Sequence, residues 1–317
     1  MRAAFTVYFT IQYFNFSKVW IVLAFVSAFF LGCYDICKKK SVNGNAVVPV
    51  LFLNTLFCTL LLSPLFVLSR YFPGTLSGSI YYVPDVDFET HIYIFMKSVI
   101  VLSSWLFGYF AVKHLPLTIT SPINATRPVM TLVGALLIFG ERLNLYQTIG
   151  VLLTIVSFVL LSVSGKKEGI RFTHNKWIFF IILAAVLGAV SGLYDKYLMQ
   201  RFSFIAVQFW YNLYQCILMG IIVLLLWYPR RKVNTPFSWE WSILLVSLFL
   251  TVADFVYFYA LSLPGAMISI VSMVRRSSVL VSFAGGVLFF REKNLKGKII
   301  DLSLIILAMI FLYLGTK

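Results

Sequence analysis

Charge is scarce in this 317-residue chain: Asp, Glu, Lys and Arg together make up 12% of it, where a soluble domain carries about 25%. Acidic residues are the scarcer sign, 11 against 26 Lys and Arg, which leaves little material for a site built on paired carboxylates. Three histidines and four cysteines, with no cysteine pair at zinc-finger spacing, argue against a metal centre and against a disulfide framework. No nucleotide-binding motif is present. No Ser/His constellation or carboxylate pair stands inside the apolar runs, so an intramembrane enzyme acting on a lipid would lack both nucleophile and base. The expectation is a chain that is not an enzyme and needs no cofactor.

What the chain has in abundance is apolar side chains, 61% of all residues. That identifies an integral membrane protein. The formal charge of +15 would suit nucleic acid or acidic lipid. Most basic residues, however, sit in short connections between apolar runs, where they anchor spans at the membrane surface, and no nucleic-acid partner is expected. Residues 1–16 are aromatic and lack a small-residue cleavage pattern, so they read as an N-terminal tail and not a signal peptide.

Apolar runs long enough to cross a bilayer cover 19–36, 47–69, 92–112, 143–164, 177–195, 204–228, 240–262, 264–290 and 299–315. A tenth, 116–139, is interrupted by Pro122, Asn124, Arg127 and Pro128; prolines inside a span suit a segment that lines a polar cavity. It is counted because the chain repeats itself. Ala28, Gly32, Tyr34 and Asp35 match Gly188, Gly192, Tyr194 and Asp195, and Asn54 and Cys58 match Asn212 and Cys216. Tyr109-Phe110 and Leu115-Pro116 match Tyr257-Phe258 and Leu263-Pro264, and Phe139-Gly-Glu141-Arg142 matches Phe290-Arg-Glu292-Lys293. The order is kept throughout.

The expected fold is therefore all-α and integral to the membrane, with ten transmembrane helices as two inverted five-helix repeats, 17–165 and 176–317, joined by a polar linker at 166–175. An odd number of spans inverts the second half relative to the first and puts a substrate site near the centre. The acidic connection 70–91, with Asp85, Asp87 and Glu89, reads as a solvated loop. Most Lys and Arg in the connections fall on the side of the odd-numbered loops, which by the positive-inside rule places both termini outside.

The most informative run is 264–290, whose only charges are the adjacent Arg275 and Arg276 near its middle. A guanidinium at that depth costs about 2.5–3.5 kcal/mol on insertion scales, so it faces a wet cavity or a partner. Asp254 in the preceding run is the carboxylate to pair with one of them, leaving Arg127 and the second arginine as surplus positive charge suited to an anion. Asp35 and Asp195 are expected to pair with the nearby Lys38 and Lys196. Asn54 and Asn212 are expected to bond between helices, Tyr109 and Tyr257 offer hydroxyls to a cavity, and Gly32, Gly188 and Gly192 read as close-packing positions.

The turn Gly140-Glu-Arg-Leu143, the following Gln147-x-x-Gly150 and the repeat resemble the EamA-type transporters of the drug/metabolite transporter superfamily over residues 19–315. The resemblance implies a ten-helix carrier with a cavity lined mainly by the third, fourth, eighth and ninth helices, and with termini in the cytoplasm, opposite to the charge count. Met273-Val-Arg275-Arg276 is similar to the basic pair of plastid sugar-phosphate translocators, which implies contact with a substrate phosphate. Where those carriers have a further lysine this chain has Asn124, with Arg127 one turn on. The expected function is secondary transport of a small organic solute, anionic and phosphorylated or carboxylated, by alternating access across the cell (inner or plasma) membrane. Arg275, Arg276, Arg127, Asn124, Tyr109, Tyr257 and Asp254 are the candidate substrate contacts. The alternative is a multidrug or amino-acid exporter of the same superfamily. Partners are the solute, the lipid bilayer and, as a possible homodimer, a second copy.

Overall fold

The computed structural model describes residues 2–42, 44–114, 123, 126–163, 176–231, 235–278, 280–282, 284–285 and 295–315, without the side chains of 2–18, 39, 109, 112–114, 158–159, 161–163 and 295–302. Among these residues every regular element is a helix. In chain order the longer ones are α1 (Arg2–Val42), α2 (Val47–Tyr71), α3 (Phe88–His114), α4 (Arg127–Ile138), α5 (Leu145–Val163), α6 (Lys176–Met199), α7 (Phe204–Ile222), α8 (Ser242–Ser262), α9 (Ile268–Arg275) and α10 (Leu295–Leu314), with short helical segments at Pro73–Leu76, Val223–Trp227 and Tyr228–Arg230. Helix α1 begins at Arg2, so the segment read as a tail is helical from there on. The linker 166–175 and Glu292 lie outside the described residues.

Among the described residues six stretches are long and apolar enough to cross a bilayer: Val19–Val42, Val47–Tyr71, Phe88–Gly108, Lys176–Met199, Phe204–Arg230 and Ser242–Ser262. Arg127–Ile138, Leu145–Ser157 and Ser303–Leu314 are shorter apolar helices. Large side chains such as Phe29, Leu137 and Leu152 point outward, more than half exposed, as expected where the outer solvent is hydrocarbon. Local signals set several ends. Asp87 accepts a hydrogen bond from the Thr90 amide at 3.2 Å and caps α3, and the Thr90 hydrogen bonds hold its carboxyl below the ordinary carboxylate range. Its neighbour Asp85 pairs with Arg70. Asn144 and Gln147 form a reciprocal capping box at the start of α5, with bonds of 2.9 and 3.0 Å. Pro264-Gly265, with Gly265 at φ 76°, turns the chain between α8 and α9.

The 264–290 stretch is not the single long helix expected from its length. Helix α9 spans eight residues and ends at Arg275; the Arg276 and Ser277 amides then bond back three residues, to Met273 and Val274 at 3.1 and 2.9 Å, and residues 276–277 form a turn. The arginine pair therefore sits at a break in the helix, with Arg275 closing α9, Arg276 in the turn and helical backbone resuming at residue 278.

Packing joins the first-half helices to the second-half ones. Helices α1 and α8 run antiparallel, with Ser27 Oγ donating to the Ala253 carbonyl and Ser41 Oγ to Ser242 Oγ. Helices α3 and α6 do the same through Ser104 Oγ and the Ala184 carbonyl, α2 and α7 through the stacked rings of Phe66 and Phe209, and α5 and α10 through Gly150 against Leu312. Beyond α9 the chain runs parallel to α1, so close that a Cβ at Gly32 would lie 2.4 Å from Val281 Cβ. That bears out the close-packing role read for Gly32. Parallel to α6, α4 packs with Gly134 against Leu193. Among the described residues the equivalent asparagines bond within their own helices and do not bridge: Asn212 donates to the Gln208 carbonyl at 2.9 Å, and Asn54 accepts from Cys58 at 3.8 Å. Cross-helix bonds in this seam come from Gln208, whose Nε2 donates to the Thr251 carbonyl at 2.9 Å, and from Cys58, whose thiol lies 3.5 Å from the Ser247 carbonyl.

Candidate functional site

A cavity of about 340 Å³ lies where α1, α3, α4, α6, α8 and α9 converge. Each helix contributes one face. On α6 these are Gly188, Ser191, Gly192 and Asp195, and on α1 Leu31, Tyr34, Asp35 and Lys38; α8 supplies Leu250, Asp254, Tyr257 and Phe258, each set at helical spacing. Five basic side chains line the cavity, Lys38, Lys97, Arg127, Arg275 and Arg276, against the three carboxylates of Asp35, Asp195 and Asp254. Positive charge is in excess.

Two of the five are neutralised. Arg275 Nη2 bonds to Asp254 Oδ1, and its guanidinium carbon lies 4.1 Å from the centre of the Tyr257 ring. Lys97 Nζ bonds to Asp195 Oδ1 and lies 4.3 Å above the Tyr211 ring and 4.9 Å from that of Phe258. Its side chain is only 2% exposed, so nothing but this carboxylate and these ring faces replaces its water. Asp195 then accepts from the Tyr257 hydroxyl at 3.2 Å through its second oxygen. The result is a continuous polar chain, Lys97, Asp195, Tyr257, Arg275, Asp254, tying α3, α6, α8 and α9 together across the cavity wall.

The pairing of Asp195 with Lys196 expected from their adjacency does not occur. Neighbours on a helix point about 100° apart and cannot meet, and Lys196 instead donates to the Ala266 carbonyl at 2.5 Å. Nor do Asp35 and Lys38 close an ion pair among the described residues: Asp35 accepts from Ser282 Oγ at 3.4 Å, and Lys38 lies 5.3 Å from the Tyr34 ring centre.

Lys38, Arg127 and Arg276 have no ion pair among the described residues, and of the three the two arginines carry the planar guanidinium fork. Arg127 opens α4 and lies against α6, where a Cβ at Gly188 would sit 3.0 Å from its Cζ and 3.1 Å from Nε and Nη1. Gly188, expected to serve helix packing, thus makes room for a guanidinium, while a Cβ at Gly192 would meet Thr131 at an ordinary 3.8 Å. The Nε of Arg127, like that of Arg275, is buried with no hydrogen-bond partner among the described residues. Arg276 is exposed, lines the cavity, and among the described residues has no ion pair or hydrogen bond from its side chain. A valine at Gly188 is expected to push Arg127 aside, raising the KM for the transported solute about tenfold or more while the protein still purifies as a folded species; paired uptake and thermal-unfolding measurements check this.

Of the residues expected at the site, Arg275, Arg276, Arg127, Tyr257 and Asp254 come together around this cavity. Asn124 and the side chain of Tyr109 lie outside the described residues. Lys97 and Asp195 were not expected there as a pair. The signal for Lys97 was present, a lone charge in the apolar run 92–112, whereas nothing local named its partner 98 residues away.

Two segments, residues 18–163 and 175–314, match the EamA-like transporter family. The chain belongs to that family. This transporter is also 24% identical over 300 residues, 93% of its length and 98% of the relative's, to an uncharacterized transporter of Archaeoglobus fulgidus. A crystal structure of a protein 14% identical superposes with a TM-score of 0.69 over 92% of the transporter and 97% of that chain, a likeness of fold alone. Together the family and the apolar helices make it a multi-pass membrane transporter working on a small-molecule solute in a lipid bilayer. The cavity lies at the junction of the two matched segments: α1, α3 and α4 come from the first, and α6, α8 and α9 from the second.

Proposed function

We propose that the transporter carries a small organic anion, phosphorylated or carboxylated, by alternating access, with Arg276 and Arg127 as the groups that hold the anion. The observation that carries this reading is Arg276, exposed to the cavity and without an ion pair among the described residues, together with the Arg127 Nε, which has no hydrogen-bond partner among them. Two guanidinium groups in a site walled by apolar helices need a counter-anion, and a carboxylate or phosphate matches their planar fork. Arg275 plays a different part: engaged with Asp254, it fixes the turn that presents Arg276.

Ten membrane helices in two inverted repeats are part of the proposal, and the packing supports them. The α1–α8 contact has its counterpart in α6–α3, and the parallel run of α1 beside the chain beyond α9 has its counterpart in α6 beside α4. An interchange of halves about an axis in the membrane plane would produce such reciprocity. Thermal unfolding of the purified transporter against phosphorylated sugars, dicarboxylates, amino acids and lipophilic cations tests the substrate class. Anions are expected to stabilise it, by about 2.7 kcal/mol at a hundredfold excess over Kd. Stabilisation by cations alone overturns the reading.

A further inference from the structure

The end of the bundle away from Lys38 is held by an unusual convergence of polar ties on the start of α9. Glu141, in the turn after α4, accepts the Ile268 amide at 2.7 Å through one carboxylate oxygen. Its other oxygen accepts the Ser269 amide at 3.2 Å and the Ser269 hydroxyl. One acidic side chain thus takes up three donors on the first turn of α9 from 127 residues away in sequence. The Lys196 ammonium, 6% exposed, binds the Ala266 carbonyl just ahead of that turn. Beside them, Asn144 and Gln147 both donate to the Gly315 carbonyl at the end of α10, at 2.5 and 3.1 Å. Helix α9 is only eight residues, about 12 Å, long, so what grips its first turn also sets the depth of the arginines at its last. The other end differs: Lys38 and Arg276, the two exposed basic groups of the cavity, both lie toward it.

We propose that Glu141 is the bolt of the closed end. Its carboxylate holds the start of α9 against the α4–α5 turn, and the cavity opens to that side only when Ile268 and Ser269 are released. A carboxylate on the positive end of a helix is a strong but breakable tie, because the freed amides and the freed carboxylate are both well hydrated once water enters. The inference rests on alternating access and is independent of the anion, so its test needs no solute.

The reporter is Ser272→Cys, one turn beyond Ser269 on the cavity wall, in a full-length background with Cys33, Cys37, Cys58 and Cys216 replaced. Its reaction with a membrane-impermeant maleimide is timed in proteoliposomes from each face. With Glu141 intact, labelling is expected to be slow from the face carrying the 140–144 turn and fast from the other. Glu141→Gln, which keeps the shape and removes the charge, is expected to speed labelling from the turn face about tenfold and to slow it from the opposite face, because opening one end closes the other. Ser269→Ala, which removes a single donor, is expected to shift both rates the same way by a smaller factor, and serves should the glutamine variant fail to fold. A rise at the turn face with no fall at the other would mean that Glu141 merely caps a helix, and would overturn the proposal; so would unchanged rates in both variants.

Discussion

Replacing Arg276 by glutamine is expected to lower uptake about a hundredfold or more in proteoliposomes, with little change in thermal stability. The two halves of that expectation have the same cause. Arg276 is exposed in the cavity and has no side-chain partner among the described residues, so removing it breaks no native ion pair and relieves repulsion with Arg127 and Arg275. An anion bound there, in contrast, loses a charge-assisted contact, and once the cavity has closed over the pair, losing one partner costs about 2–5 kcal/mol. At about 1.4 kcal/mol per factor of ten, that spans the hundredfold range. Lysine at the same position is expected to restore part of the uptake, since it keeps the charge but not the bidentate fork. Glutamine with full uptake, or a collapse of stability alongside the uptake, removes Arg276 from the anion site.

Replacing Lys97 by methionine is expected to have the opposite signature, a large loss of stability. The ammonium is 2% exposed and its carboxylate partner 9%, so the variant leaves Asp195 charged in a dry wall with only the Tyr257 hydroxyl to compensate. Breaking a buried pair from one side costs about 3–5 kcal/mol. Adding Asp195→Asn to Lys97→Met is expected to return much of that loss, because both charges are then gone. The cycle of single and double variants, read by thermal unfolding in detergent, separates the pair's coupling from the packing of the methylene stem. If the double variant is as unstable as the single one, Lys97 serves packing and not charge. Uptake by the double variant is expected to fall more than its stability, since Asp195 also orients the Tyr257 ring beneath Arg275.

Much of this site was legible because a charge inside an apolar run is a local anomaly. Arg127, Asp254, Arg275 and Arg276 each stood out against their neighbours, and that Asp254 pairs with one of the two adjacent arginines followed from there being one nearby acid for the surplus of arginines. Lys97 is an anomaly of the same kind, the one charge in the run 92–112. The pairing of Asp195 with Lys196 failed for a geometric reason, since adjacency in sequence is divergence on a helix. Glu141 was legible only as part of a turn, because a helix cap supplied by a residue far along the chain leaves no spacing pattern at either end. The end of α9 at Arg275 also had no marker: no glycine or proline stands at 275–277, and length alone favoured a continuous span.

The sequence by itself determined the solvent, the helical class, the doubling of the chain and the presence of arginines too costly to be idle. Those are properties of composition and period, carried by each segment alone. Only the tertiary structure decided which arginine is neutralised and which is left free, which carboxylate meets Lys97, and that Gly188 leaves room for a guanidinium. Electrostatic partnership falls off over a few ångströms in space and is blind to distance along the chain. It is fixed when helices from the two halves are brought face to face.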